Sequence, residues 1–230
     1  ISKYLLYAMG EIILVVIGIL IALSINNWNE DRKQEKELND YLIKISENIA
    51  EDISVAETHL KRRERLQENS RKTLLHIFKE QYDSISVAQN VAIFVDFNFV
   101  PRRNGIQALT NSGYVNKLKR SRLDSLLHTY YFNVEELQRE ERSFNGYMEA
   151  MEVSVGETVS IIPVAKQYFG QEVEAQEILA NNSEYFQNVA LQAAIARACG
   201  QTIIMEKYNN LIATGQLLNE AIDKRIDRIR

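Results

Sequence analysis

Proline is nearly missing from this chain. Only Pro101 and Pro163 occur, and glycine is sparse at nine residues in 230. No Gly or Pro falls between residues 19 and 100, so long uninterrupted helices are expected. A single cysteine, Cys199, excludes an intrachain disulfide and gives no support to a stapled extracellular fold. Neither sign of charge dominates: 27 Lys and Arg face 31 Asp and Glu, mixed throughout. No basic stripe of the kind that neutralises phosphates is present, so nucleic acid is not an expected partner. His59, His76 and His128 are far apart, and H-x-x-x-H, H-E-x-x-H and C-x-x-C are all missing. The E-x-x-H pairs of di-iron bundles are missing too. Ser112 precedes a glycine, but G-x-S-x-G is absent, so the pair reads as a helix end and not a nucleophile elbow. Catalytic, metal and cofactor-binding residues are therefore none, no cofactor is expected, and the chain is not expected to be an enzyme.

What is present, first of all, is one apolar run. Residues Tyr4 to Ile25 read YLLYAMGEIILVVIGILIALSI and hold a single ionisable side chain, Glu11. About 22 residues at about 1.5 Å each give a helix of about 33 Å, enough to cross a bilayer core of about 30 Å. Trp28 stands where an interfacial aromatic anchor belongs, and Tyr4 and Tyr7 stand near the other end. A cleavable signal peptide is one rival reading. The run is longer than a usual signal core, and no Ala-x-Ala site appears in Ser24-Ile25-Asn26-Asn27-Trp28-Asn29-Glu30. A buried core helix is the other rival, and so long an unbroken apolar helix is rare in a soluble domain of this size. Residues 1–28 are read as a transmembrane anchor, with the lipid bilayer as partner. The chain starts at Ile1 and not at Met, so residues upstream are expected.

Inside the span, Glu11, Val15, Gly18, Ala22 and Ile25 are spaced i, i+4, i+7, i+11 and i+14, which puts all five on one stripe of one helix. Gly18 and Ala22 form a small-xxx-small pair that lets two backbones approach closely in lipid. Lipid against that stripe is costly for Glu11, so the stripe is expected to face protein, and the simplest protein available is another copy of the same span. Two alternatives stay open for Glu11. It snorkels to water as a structural residue, or it lines an ion or proton pathway. Orientation is weakly coded: Lys3 precedes the span, and Arg32, Lys33 and Lys36 follow it, which by the positive-inside rule points the C-terminal domain toward the cytoplasm.

The stretch from Lys3-Tyr4 through Tyr7-Ala8-Met9-Gly10-Glu11-Ile12-Ile13-Leu14-Val15-Val16-Ile17-Gly18-Ile19-Leu20-Ile21-Ala22-Leu23, closing in Ile25-Asn26-Asn27-Trp28-Asn29-Glu30, resembles the opening of an uncharacterised family of single-span Bacteroidota membrane proteins. Met9 and Ser24 stand where Ile and Gln are common in that family. A looser likeness follows in Phe99-Val100-Pro101 and in Ala108-Leu109-Thr110-Asn111-Ser112-Gly113, with Leu123 and Tyr130 behind them. The resemblance implies a short basic cytoplasmic leader, a single span in a bacterial inner membrane with its N-terminus cytoplasmic, and a helical C-terminal domain in the periplasm. It implies no activity.

The fold class expected is all-α: the transmembrane helix continues into an extramembrane antiparallel bundle over residues 29–230. Long helices are expected at about 30–80, 120–155 and 183–230, with an irregular segment at 82–113. Leu38, Leu42, Ile45, Ile49, Ile53, Ala56 and Leu60 recur at steps of three and four and form one apolar stripe. The run Lys61-Arg62-Arg63-Glu64-Arg65 reads as a solvated face, with an acidic-lipid or partner site as the alternative. Residues Val91 to Pro101 are rich in strand formers and read as a short strand or an aromatic loop over the bundle. Ile106 to Asn111 reads as a short helix closed by Gly113 at the C′ position. The next helix opens on Ser121 and Asp124. Its aromatic residues read as core, and its carboxylate pairs, Glu135-Glu136 and Glu140-Glu141, read as a solvated face. Ile161 to Gly170 reads as a connection, Glu172 to Leu179 as a short helix and Asn181-Asn182-Ser183 as a turn. The last helix carries Ile204, Tyr208, Leu211, Gly215, Leu218, Ile222, Ile226 and Ile229, and is expected to pack antiparallel to the first. No internal repeat is evident, which disfavours a solenoid.

Three functions fit these readings. The first is a structural or interaction protein, a homo-oligomer that scaffolds or accompanies a larger membrane protein complex of the envelope. The second is an oligomeric ion channel or ion-coupled subunit that uses Glu11. The third is a periplasmic sensory or ligand-binding module. The oligomer interface expected is Glu11, Val15, Gly18, Ala22 and Ile25, and the membrane-interface anchors are Tyr4 and Trp28.

Overall fold

The computed structural model describes residues 2–82, 85, 92–158, 166, 169–170 and 183–227. Helix α1, Ser2–Phe78, runs without a break for 77 residues, about 115 Å at the usual rise. Helix α2, Asn104–Asn111, is short, and α3, Arg122–Thr158, is long. A helical turn at 183–187 precedes α4, Val189–Cys199, and α5, Thr202–Asp227, follows. Among the described residues there is no strand.

Local chemistry explains the helix boundaries. Gly113, with φ of 79°, takes the left-handed conformation that ends α2, and the Ser112 and Gly113 amides return to the Ala108 and Thr110 carbonyls. At the start of α3, Ser121 Oγ accepts from the Asp124 amide at 3.1 Å, and the Asp124 carboxylate accepts from the Arg120 amide at 3.1 Å. This reciprocal arrangement satisfies donors that a helix start leaves open. Asn188 caps α4 by accepting from the Leu191 amide at 3.0 Å.

Cross-helix pairs set the topology. Arg225 meets Glu35, Gly215 lies against Ile49 and Ile53, Tyr208 meets His59, and Cys199 meets Gln67. Numbers rise on one partner as they fall on the other, so α4 and α5 return antiparallel along α1. Tyr130 meets Asp52 and Glu141 meets Arg63, so α3 runs parallel to α1 in constant register. The core sits where the three rods meet. Leu38, Leu42, Ile45, Ile49 and Ala56 are buried in α1, as are Leu127, Val134 and Leu137 in α3 and Ile204, Leu211, Leu218 and Ile222 in α5. Helix α2 packs on α1 backbone to backbone. A Cβ on Gly105 would lie 2.9 Å from the Ile45 nitrogen, so only glycine permits that approach.

Several expectations are corrected. The last long helix is broken twice among the described residues: once at Asn188, between helical residues 183–187 and α4, and again at Gly200 and Gln201, where the Gln201 side chain turns inward to meet Arg63. Residues 92–103 form no strand. They carry one 3-10 turn, Ala92–Phe94, and then a strap that lays Phe97 and Phe99 on the bundle, which is the aromatic-loop alternative. The short helix read at Ile106 to Asn111 is present as α2 and opens two residues earlier, at Asn104. The basic run 61–65 is not wholly solvated, because Arg63 is 0% exposed. Glu141 is likewise 1% exposed and not part of a solvated carboxylate face. The connection at 161–170 lies largely outside the described residues. The short helix at 172–179 lies wholly outside them, as does Ile229. So does most of the turn at 181–183, of which only Ser183 is described.

Candidate functional site

Two places bear on function: the unburied apolar stretch of α1 and a polar seam inside the bundle. In the first, Glu11, Val15, Gly18, Ala22 and Ile25 stand on continuous helix and fall within an arc of about 80° at about 100° per residue. All five are exposed, and a Cβ on Gly18 would meet nothing within 4 Å. Tyr4 and Trp28 are exposed as well, and the Arg32 guanidinium lies over the Trp28 ring, 5.9 Å from its centre. Such a pairing suits a boundary where an aromatic ring sits at headgroup depth with a cation one turn further out. The described residues thus hold one helix long and apolar enough to cross a membrane, with its apolar segment unburied.

The seam centres on Arg63. Its guanidinium stacks against Phe97, Phe144 and Tyr208, with ring centres 5.2 to 5.8 Å away. It reaches Glu141 Oε1 at 3.6 Å and donates to Gln201 Oε1 at 3.2 Å. Glu141 also accepts from the Phe99 amide at 2.7 Å and from the Tyr208 hydroxyl. That hydroxyl has one hydrogen, so its oxygen accepts from His59 Nδ1 at 3.1 Å, which fixes the ring tautomer. Gln138 donates to the Phe99 carbonyl and Asn145 to that of Phe97, so the strap is held from α3 as well. Burial pushes the Glu141 carboxyl up, against the pull of Tyr208, Phe99 and Arg63. Burial lowers His59, helped by the Arg62 and Arg63 charges. Tyr208 is raised by burial and by its carboxylate neighbour.

A second cluster lies lower on α1. Asp52 accepts from the Arg102 amide at 3.0 Å and from the Tyr130 hydroxyl at 3.0 Å, while Asn48 Oδ1 accepts from the Gly105 amide at 3.0 Å. Asn48 and Asp52 are one turn apart, so α1 itself caps the start of α2. Burial raises Asp52, opposed by those donors. Among the described residues no group of three or more His, Cys, Asp or Glu is placed to hold a metal ion.

Chemically, the seam is a clasp. Most of its donors and acceptors are spent on the strap 97–102 and on facing helices, Arg63 Nε being left without a partner, and these bonds tie loop to bundle in one geometry. These residues were not singled out as a site from sequence, yet a signal exists. Counting strictly by alternate steps of four and three from Leu38 lands on Asp52, His59, Arg63, Ser70 and Thr73 as well as on the apolar residues. The same count from Leu123 lands on Tyr130 and Glu141.

The model of a family of unknown function, DUF6090, matches residues 11–145. The match takes in the greater part of the span, the strap, α2 and most of α3, together with Asp52, Arg63 and Glu141. No curated protein and no solved structure matches the chain.

Proposed function

The chain belongs to DUF6090, a family of unknown function, and from that footing we propose that it is a membrane-anchored structural protein. It self-associates through its span and scaffolds or accompanies an envelope assembly. Support comes from one observation: residues 12–25 present apolar side chains on every side of the helix, none of them covered by the rest of the chain. A surface of that kind is stable in lipid, and the stripe of Glu11, Val15, Gly18, Ala22 and Ile25 is where a second span packs best. No catalytic step is assigned to the chain. The bundle stands on the periplasmic side of an inner membrane, as the resemblance of residues 3–30 implies. The charges of Arg32, Lys33 and Lys36 argue for the other side, so a reporter fused behind the last residue decides: one active only in the periplasm agrees, and one active only in the cytoplasm reverses the placement.

The self-association is tested with Gly18→Leu. The side chain meets nothing in the single chain, so the bundle keeps its helicity and melting temperature. The mass in detergent falls toward that of one copy if the small-residue face is the contact, and an unchanged mass removes that claim. Glu11→Gln leaves assembly intact when the carboxyl is structural. Loss of ion flux with assembly preserved would favour a channel instead.

A further inference from the structure

The base of the bundle is electrically one-sided. Between Gly113 and Arg122 the chain holds four cations, Lys117, Lys119, Arg120 and Arg122, and no anion. All four are exposed, and no ion pair among the described residues engages them. Of the acidic groups nearby, Glu37 accepts from the Tyr114 hydroxyl at 2.7 Å, Glu35 pairs with Arg225, Asp124 caps the Arg120 amide and Glu220 pairs with Lys224, while Asp40 is exposed. Beside the loop, between the start of α3 and the end of α5, lies an open groove of about 430 Å³. Its rim is mixed, with Arg122, Lys224, Arg225 and Glu220, and Leu123, Leu217 and Ala221 form its floor, so the free cations are those of the loop and not of the groove.

The level of this surface is set by α1. Tyr114 bonds Glu37 and its ring lies 6.1 Å from that of Tyr41, so the near edge of the loop sits about nine residues beyond Trp28, whereas the α1–α3 register puts Arg122 and the groove beside it farther out, level with residue 44. For the near edge that is about 14 Å along the helix. Lysine and arginine side chains cover about 6 Å of it, which leaves about one Debye length at physiological salt. A tilt of about 20°, usual for a single span, lowers a loop set about 10 Å off the axis by about 3 Å more. From this placement we infer that the 113–122 loop forms a second membrane contact. It leans the bundle onto the anionic headgroups of the bilayer that holds α1. The inference rests on the spanning reading of α1.

The test uses the full chain in nanodiscs. A bimane label is placed at Asn116→Cys in a Cys199→Ser background, and nitroxide-headgroup lipid serves as quencher. Trp28, the sole tryptophan, reports the span in the same discs. Quenching of the label is expected to be at least about threefold stronger in half-anionic discs than in neutral ones. It falls back to the neutral level with Lys117→Gln, Lys119→Gln, Arg120→Gln and Arg122→Gln combined, or at about 0.5 M salt. Trp28 quenching stays constant throughout, and the exposed substitutions leave helicity unchanged. Equal quenching of the label in neutral and anionic discs overturns the inference, and so does indifference to the four substitutions. Trp28 beyond reach of the quencher in every disc would instead bring down the spanning reading on which the contact depends.

Discussion

Residues 12–25 and residues 38–77 of α1 belong to one unbroken helix and differ in what surrounds it. In the first stretch apolar side chains point in every direction, and Leu14 remains 73% exposed. In the second most of them line one ladder, where Leu38, Leu42, Ile45 and Ile49 are fully buried, with Ile43 and Leu75 exposed outside it. Total hydrophobicity separates lipid from water as surroundings, whereas arrangement separates a core-facing stripe from the rest. Polar residues sharpen the contrast. Each of Asp52 and Arg63 interrupts the ladder and finds partners on the strap, α3 or α5. Glu11 interrupts the span, and among the described residues no other helix lies beside it. A carboxyl in hydrocarbon is costly unless it is paired or reaches water.

The largest effect is expected in the ladder. Arg63→Ala leaves Glu141 buried without its cation and opens a hole among Phe97, Phe144 and Tyr208. The cost is about 3–5 kcal/mol, read as loss of unfolding free energy in detergent by circular dichroism. Pairing Arg63→Met with Glu141→Leu removes both charges and recovers most of that loss. A near-neutral Arg63→Ala would mean that the seam is spatial and not energetic, and the contrast with Glu11 would lose its footing.

Next comes the span. Leu14 lies near its middle, and Leu14→Lys raises the cost of insertion by about 3–4 kcal/mol, measured as the membrane-integrated fraction. An unaltered fraction would put residues 12–25 in some surroundings other than lipid. Gly105→Ala follows. Alanine gains about 0.8 kcal/mol of helix propensity, but its Cβ meets backbone atoms of Ile45, for a net loss of about 1–2 kcal/mol in the same denaturation assay. Gly18→Ala, with open space around it, is expected to leave that assay unmoved.

These outcomes bear on what the residues disclose before folding. The apolar steps of α1, α3 and α5 are legible because most ladder members are Leu, Ile, Val or an aromatic at the right spacing. The span was legible for the opposite reason, the lack of any polar face. Arg63 and Glu141 were misread because each stands next to other charges, Arg62 and Glu140, that do face water. Their letters match their neighbours and only their register differs. Counting by position instead of by polarity finds them. The break at Gly200 was obscured by a stripe that continues in phase on both sides of it. The strap at 95–102 reads like a strand because aromatic and β-branched residues suit either a sheet or a bundle surface. What holds it is α3 and α1 side chains more than 40 residues away in sequence, such as Glu141 for Phe99 and Asp52 for Arg102.

The smallest effect belongs to Ile43, which sits in the bundle half of α1 and is 39% exposed. It lies between buried Leu42 and exposed Lys44, on the side of the helix turned from the ladder. Ile43→Lys is the same chemical change as Leu14→Lys, on the same helix, about 44 Å away at the usual rise. In water an added ammonium there stays solvated while its methylenes lie along the helix, so unfolding free energy should move by less than about 0.5 kcal/mol. Membrane insertion should not change. If Ile43→Lys cost as much as Leu14→Lys, that face would be covered by lipid or protein. The boundary between the two regions would then have to move well beyond Trp28.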